Sequence, residues 1–158
     1  MLSVQQLMTQ NVQVCGPDDS LECVARLLWE NDIGAVPVVG STGSVIAMVT
    51  DRDVCMAAYM TGRPLSQICV REAMSKTLST VRAEQSIDEA QRIMRQSQVR
   101  RLPVVDVQGC LVGVISQNDL LREAVRHREA PRKELSAVGV TDTVASIGRS
   151  RAGQRAAA

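Results

Sequence analysis

Apolar residues recur along this chain in two rhythms. Leu21, Val24, Leu27 and Leu28 fall on one stripe of a 3.6-residue period, so Leu21 to Glu30 is predicted to be a helix, with Ser20 placed to cap it. Before it, Val12 and Val14 alternate with polar residues as in a short strand, and Gly16-Pro17-Asp18-Asp19 turns the chain. After it, Ala35 to Val39 and residues 44–49 flank the turn Ser41-Thr42-Gly43. They read as a hairpin whose strands are so continuously apolar that both faces need cover. A second helix is predicted from Thr50 to about residue 60.

The whole pattern returns 66 residues later without a gap. Val4 matches Val70, Met8 matches Met74, Ser20 matches Ser86, Pro37-Val38-Val39 matches Pro103-Val104-Val105, and Asp53 matches Asp119. The second copy predicts a strand over 78–80, a helix opening at the capping box Ser86-Ile87-Asp88-Glu89, strands over 102–105 and 111–115, and a helix from Gln117 to Arg126. Each copy reads strand, helix, strand, strand, helix. A tandem of units too small to bury their own apolar faces implies that the two pack together. The expected organisation is residues 1–60 as repeat one, 61–69 as linker, 70–127 as repeat two, and 128–158 as a basic tail. The tail is expected to be flexible, because its apolar periodicity fades into isolated valines that offer little surface to offset ordering.

Composition changes this picture in three places. The net charge of +1 conceals an asymmetry: residues 1–126 carry 12 Lys/Arg against 14 Asp/Glu, and residues 127–158 carry 6 against 3. Arg149, Arg151 and Arg155 in the tail offer weak, nonspecific nucleic-acid contact, for which a solvated terminus is the simpler reading. No run is apolar enough to span a bilayer and the first residues lack a signal-peptide pattern, so a cytoplasmic protein without membrane contact is expected. The five cysteines are scattered and the only histidine is His127, which argues against a zinc site and for thiols packed as small apolar groups. G-x-S-x-G, G-x-x-x-x-G-K-[ST] and HExxH motifs are all missing, so neither catalytic residues nor a catalytic cofactor is expected.

Three signals at matching offsets carry a resemblance to a known family. They are Met8-Thr9 and Met74-Ser75 opening the copies, the Ala/Leu-Pro-Val-Val segments, and Thr50-Asp51-Arg52-Asp53 with Ser116-Gln117-Asn118-Asp119 where the last strand meets the last helix. Over residues 1–126 the chain resembles a tandem pair of cystathionine-beta-synthase (CBS) domains, the Bateman module. The resemblance implies an α/β (α+β) fold of two β-α-β-β-α repeats related by a pseudo-twofold axis, with two clefts between them. It further implies adenosine-type ligands (AMP, ADP, ATP or S-adenosylmethionine, with Mg²⁺ as a candidate companion), a homodimer, and a protein partner regulated in trans. Carried over by position, Thr50 with Asp53 and Ser116 with Asp119 would hold ribose hydroxyls. Met48 and Val114, with Val12 or Leu78 and the segments Ala35-Val36-Pro37 or Arg101-Leu102-Pro103, would line the base. A carboxylate suits a vicinal diol because charge-assisted hydrogen bonds are the stronger kind. The same Thr/Ser-x-x-Asp segments are also good helix caps, so a dimerisation or interaction module without nucleotide stands as the alternative.

The copies differ where anions would sit. Arg100 and Arg101 replace Gly34 and Ala35, and guanidinium matches phosphate geometry, so these two are the candidate phosphate contacts. Repeat one instead places Asp51 and Asp53 at the start of its last helix, where a phosphate would need Arg52 or Mg²⁺ as compensation. Ala47 stands where repeat two has Gly113, which is expected to leave a ligand less room in repeat one. The repeat-two cleft is therefore expected to dominate for anionic nucleotides. Cys55, Met56, Leu120 and Leu121 are expected to supply the apolar dimer surface.

Overall fold

The structure, a computed structural model, describes residues 2–126 and 137–147. Its elements are α1 (Leu21–Glu30), β1 (Ala35–Val39), β2 (Val45–Thr50), α2 (Asp51–Thr61), α3 (Val70–Ala73), β3 (Val81–Arg82), α4 (Ile87–Ser97), β4 (Arg101–Val105), β5 (Leu111–Ser116), α5 (Gln117–Arg126) and α6 (Ala137–Ile147). The mixed α/β class and the doubled unit are as the sequence implied.

Equivalent sequence has folded into equivalent geometry. In the antiparallel pair β1–β2, Ala35 faces Thr50 and Pro37 faces Met48; in β4–β5, Arg101 faces Ser116 and Pro103 faces Val114. Both ladders bulge at the same place, Val38/Val39 and Val104/Val105. Gly43 and Gly109 both turn their hairpins at φ 82°, a left-handed conformation that costs glycine little. The alternation marks one face of each hairpin for a helix-covered core: Val36, Val38, Ala47 and Val49 are all fully buried in repeat one.

The leading strands are shorter than the pattern suggested. In repeat one only Cys15 bridges to Val38, and Val14 is exposed, so the alternation at Val12 and Val14 marks a solvent-side lead-in. In repeat two the strand lies at Val81–Arg82, parallel to β4, rather than over 78–80. Cys15 and Val81 are the matching positions, so pairing begins where the chain reaches the sheet edge.

The segment leading each copy packs into the other copy. Val4 lies in the core with Ile87, Met94, Leu102 and Leu120, and Val70 lies in the core with Leu21, Val24, Val36 and Val49. The Val4 N–H donates to the Gln85 carbonyl (2.9 Å) and the Val70 N–H to the Asp19 carbonyl (2.8 Å). Further along, Thr9 and Val114 exchange two backbone hydrogen bonds of 2.9 Å. Across the pseudo-twofold, the Ser75 N–H donates to the Met48 carbonyl (2.8 Å), and the Met48 N–H donates to Ser75 Oγ (3.1 Å). This exchange corrects the reading of Gly113. A Cβ there would lie 2.7 Å from the Thr9 carbonyl oxygen and 2.9 Å from Met8 Sδ, so the glycine admits the exchanged chain, not a ligand.

Helix caps follow the sequence with one exception. The Ser20 and Ser86 hydroxyls accept the Cys23 and Glu89 N–H groups at 3.3 and 3.2 Å. The Glu89 carboxylate, however, turns to Arg92 (2.8 and 2.5 Å) instead of closing the box, and that guanidinium holds it below the usual carboxylate range.

The largest departure lies in the expected tail. Residues 137–147 form α6, which packs on α4 and α5 and buries Val140, Thr143 and Ile147. The isolated valines are a helix stripe: Val140, Thr143, Val144 and Ile147 stand at i, i+3, i+4 and i+7. Arg95 Nη1 donates to Thr143 Oγ1 at 2.9 Å and fastens the helix to α4. Arg149, Arg151 and Arg155 lie outside the described residues. Among the described residues, no helix is long and apolar enough to cross a membrane.

Candidate functional site

Each Thr/Ser-x-x-Asp segment closes on itself. In repeat one the Asp53 N–H donates to Thr50 Oγ1 (3.2 Å), while the Thr50 N–H and hydroxyl both donate to Asp53 Oδ2 (2.9 and 2.7 Å). Repeat two repeats this with Ser116 and Asp119 at 3.3, 2.7 and 2.6 Å. These are complete capping boxes, worth about 1 kcal/mol each to the helix they start. Asp119 Oδ1 faces Arg122 Nη1 at 3.9 Å, so the carboxylate keeps one oxygen for a further donor.

Repeat two adds a cavity of about 250 Å³ to its cap, lined by Arg100, Arg101, Ser116, Gln117, Asn118 and Val144. The start of α5 and two guanidinium groups converge here, which is the chemistry of an anion site. The Gln117 N–H is bonded to the Arg100 carbonyl (2.9 Å), which fixes the arginine pair against the first turn of α5. Arg101 also reaches repeat one: its Nη2 lies 2.9 Å from where a Cβ on Gly34 would stand, and Asp51 Oδ2 lies 3.5 Å from the same point. The cavity itself is lined by repeat two and α6, and the missing side chain of Gly34 leaves room for the Arg101 guanidinium to reach repeat one.

A family model for the CBS domain matches residues 4–59 and 70–126. This chain belongs to the CBS-domain family. The CBS domain-containing protein YhcV of Bacillus subtilis is 38% identical over 120 residues, 76% of this chain and 84% of that protein. A crystal structure of Hypoxic Response Protein I with two coordinated zinc ions is 30% identical with a TM-score of 0.69, covering 76% of this chain and 97% of that one. A crystal structure of CBSX2 in complex with AMP, a protein of Arabidopsis thaliana, matches at 24% identity and a TM-score of 0.69, over 81% of this chain and 99% of that one. At that identity it shows the shared fold.

In this CBS pair, the residues expected to line the base divide by strand face. Val36 and Leu102 are fully buried in the two cores. Pro37 and Pro103 are buried on the opposite face, beside Met48 and Val114. The polar backbone groups of Met48 and Val114 are already bonded to Ser75 and Thr9, so they are not open to read a base edge. Ala35 pairs with Thr50 at the hairpin end, and Arg52 is exposed on the first turn of α2. Val12 and Leu78 lie half-buried in irregular segments.

Of the predicted site residues, Arg100, Arg101 and Ser116 therefore meet at one cavity, with Asp119 behind Ser116. Gln117 and Asn118 complete its floor. Val144 was not foreseen, because it comes from the segment read as tail. A second cavity of about 430 Å³ is bordered by Ser75, Thr77, Ser79, Arg95 and Val99. The alternating hydroxyls of Ser75-Lys76-Thr77-Leu78-Ser79 were its only signal in the sequence.

Among the described residues, no group of three His, Cys, Asp or Glu side chains is placed to hold a metal ion. Burial, with a smaller contribution from the charge of Asp19, pushes the Cys15 thiol up to about 12, so it stays neutral.

Proposed function

We propose that this CBS-domain protein is a regulatory sensor, not a catalyst, that binds an adenosine-type nucleotide at the repeat-two side of the seam and passes occupancy to a protein partner. The observation that carries the reading is the convergence of Arg100, Arg101, Ser116 and the α5 N-terminus on one cavity. In the bound state Ser116 and Asp119 would trade their mutual hydrogen bonds for ribose hydroxyls. The repeat-one cap, flanked by Asp51 and Asp53, would serve an anionic ligand poorly without Mg²⁺. AMP bound by the same fold in CBSX2 supports the ligand class. Trp29, Tyr59 and Met60 are 88, 81 and 76% exposed on α1 and α2, and we assign them to homodimer contact. Of the residues expected there, Leu120 is instead buried in the core.

A nucleotide-free interaction module is the second reading, favoured by the 2.6 Å bond through which Ser116 and Asp119 satisfy one another. Thermal unfolding against AMP, ADP, ATP and S-adenosylmethionine, each with and without Mg²⁺, separates the two. A ligand at ~100 times its Kd stabilises by about 2.7 kcal/mol, which raises Tm by roughly 5–10 °C. Asp119→Ala is expected to abolish that shift and Asp53→Ala to retain it. A flat panel would establish the interaction module.

A further inference from the structure

We infer that α6, which lies outside both CBS repeats, is a wall of the nucleotide cavity, and that Val144 sets how long a phosphate chain the cavity admits. The inference rests on the nucleotide reading and names its specificity.

Three observations carry it. Among the described residues, Val144 is the only lining residue of the cavity from outside residues 70–126, and the only apolar one beside arginine, serine and amide side chains. It is held rigidly. Its neighbour Thr143 is fully buried, accepts from Arg95 Nη1 at 2.9 Å and donates to the Gly139 carbonyl at 2.8 Å, while Val140 and Ile147 sit in the repeat-two core one turn to either side. The volume is also small. At about 250 Å³ the cavity falls below the roughly 300–1,000 Å³ of pockets that take drug-sized ligands.

With α6 docked, the arginine pair and the start of α5 face a space that accepts a short anionic group and presents the apolar Val144 side chain to anything longer. A nucleoside monophosphate that places its single phosphate here, with its base outside the cavity, fits this arrangement. A triphosphate must push Val144 aside, which pulls against the buried anchors of α6. Docking of α6 and binding of long phosphate chains are then mutually antagonistic, and by linkage each weakens the other by the same factor. The helix turns a generic anion site into one that discriminates by chain length.

Calorimetric titration of the full chain with AMP and with ATP tests this, using wild type, Val144→Ala and Val144→Leu. Val144→Ala is expected to tighten ATP by about fivefold or more while moving AMP less than twofold, and Val144→Leu to weaken ATP further. In parallel, hydrogen exchange of the α6 amides is expected to speed up with saturating ATP and not with AMP. An unchanged AMP-to-ATP ratio across the three proteins, or α6 amides that ATP protects, would overturn the inference while leaving nucleotide binding intact. If neither nucleotide binds any of the three, the nucleotide reading falls, and the wall with it.

Discussion

The two repeats share a fold and a register yet present opposite outer faces. In repeat two the helices α4 and α5 are covered by α6, whereas among the described residues the matching α1 and α2 carry no such helix and leave Trp29, Tyr59 and Met60 exposed. Trp29 and Arg95 occupy equivalent positions on α1 and α4. Trp29 is 88% exposed, and Arg95 is tied to Thr143 of α6. The same surface has thus been given two uses by a handful of substitutions. An arginine there binds a threonine of a helix from the same chain, while a tryptophan leaves apolar area exposed. Duplication supplies the scaffold, and the proposed site lies where the copies have diverged.

The strongest way to break this asymmetry is to unseat α6. Val140→Asp would bury a carboxylate where a 2%-exposed valine now packs, and an expected loss of ~3 kcal/mol or more should appear as a lower midpoint in urea unfolding. If α6 were merely resting on the surface, the loss would stay within ±0.5 kcal/mol.

A second contrast concerns the seam. Gly113→Ala would drive a Cβ against Thr9 and Met8 and is expected to cost roughly 1–3 kcal/mol by the same measurement. Repeat one already holds alanine at the matching position 47, fully buried. Ala47→Gly should accordingly cost only about 0.5–1 kcal/mol, from chain entropy. Equal costs at the two sites would contradict the view that only the Thr9 crossing demands glycine.

Cys15 and Val81 sharpen the comparison inside the cores. The thiol is raised from 9.0 to about 12 in the fold, so folding holds its proton more tightly than the unfolded chain does. That contribution is fully present below pH 9 and is lost as pH climbs from 9 toward 12. Denaturation midpoints followed across this range should fall for wild type and fall less for Cys15→Val, which copies repeat two. A matching decline in both proteins would assign the alkaline loss to other groups.

The smallest expected effect on stability comes from the bare face. Trp29→Ser should change monomer stability by less than about 0.5 kcal/mol, since the ring is almost wholly in water. Light scattering should nevertheless register weaker self-association. Unchanged association would remove Trp29 from the dimer contact.

Much of the molecule was legible from local physics. The helix stripes, the Ser20 and Ser86 caps, both hairpins and the paired Thr50–Asp53 and Ser116–Asp119 segments depend on residues within a few positions of each other, and periodicity and capping rules act at that range. The doubling was equally plain, because an ungapped repeat of matching residues has no reading other than two copies of one unit. Tertiary structure alone decided the rest. No local rule told that Val4 belongs to the core of repeat two and Val70 to that of repeat one, since both are simply apolar residues near a turn. Gly113 reads locally as room for a ligand, whereas in the fold the Thr9 backbone lies against it. The helix at 137–147 was hidden because its stripe is short and partly polar, and such a segment is stabilised by the α4–α5 groove that receives it more than by its own propensity. The convergence of Arg101, Ser116 and Val144 joins positions far apart in the chain, and only the β4–β5 pairing, with α6 laid across repeat two, brings them to one cavity.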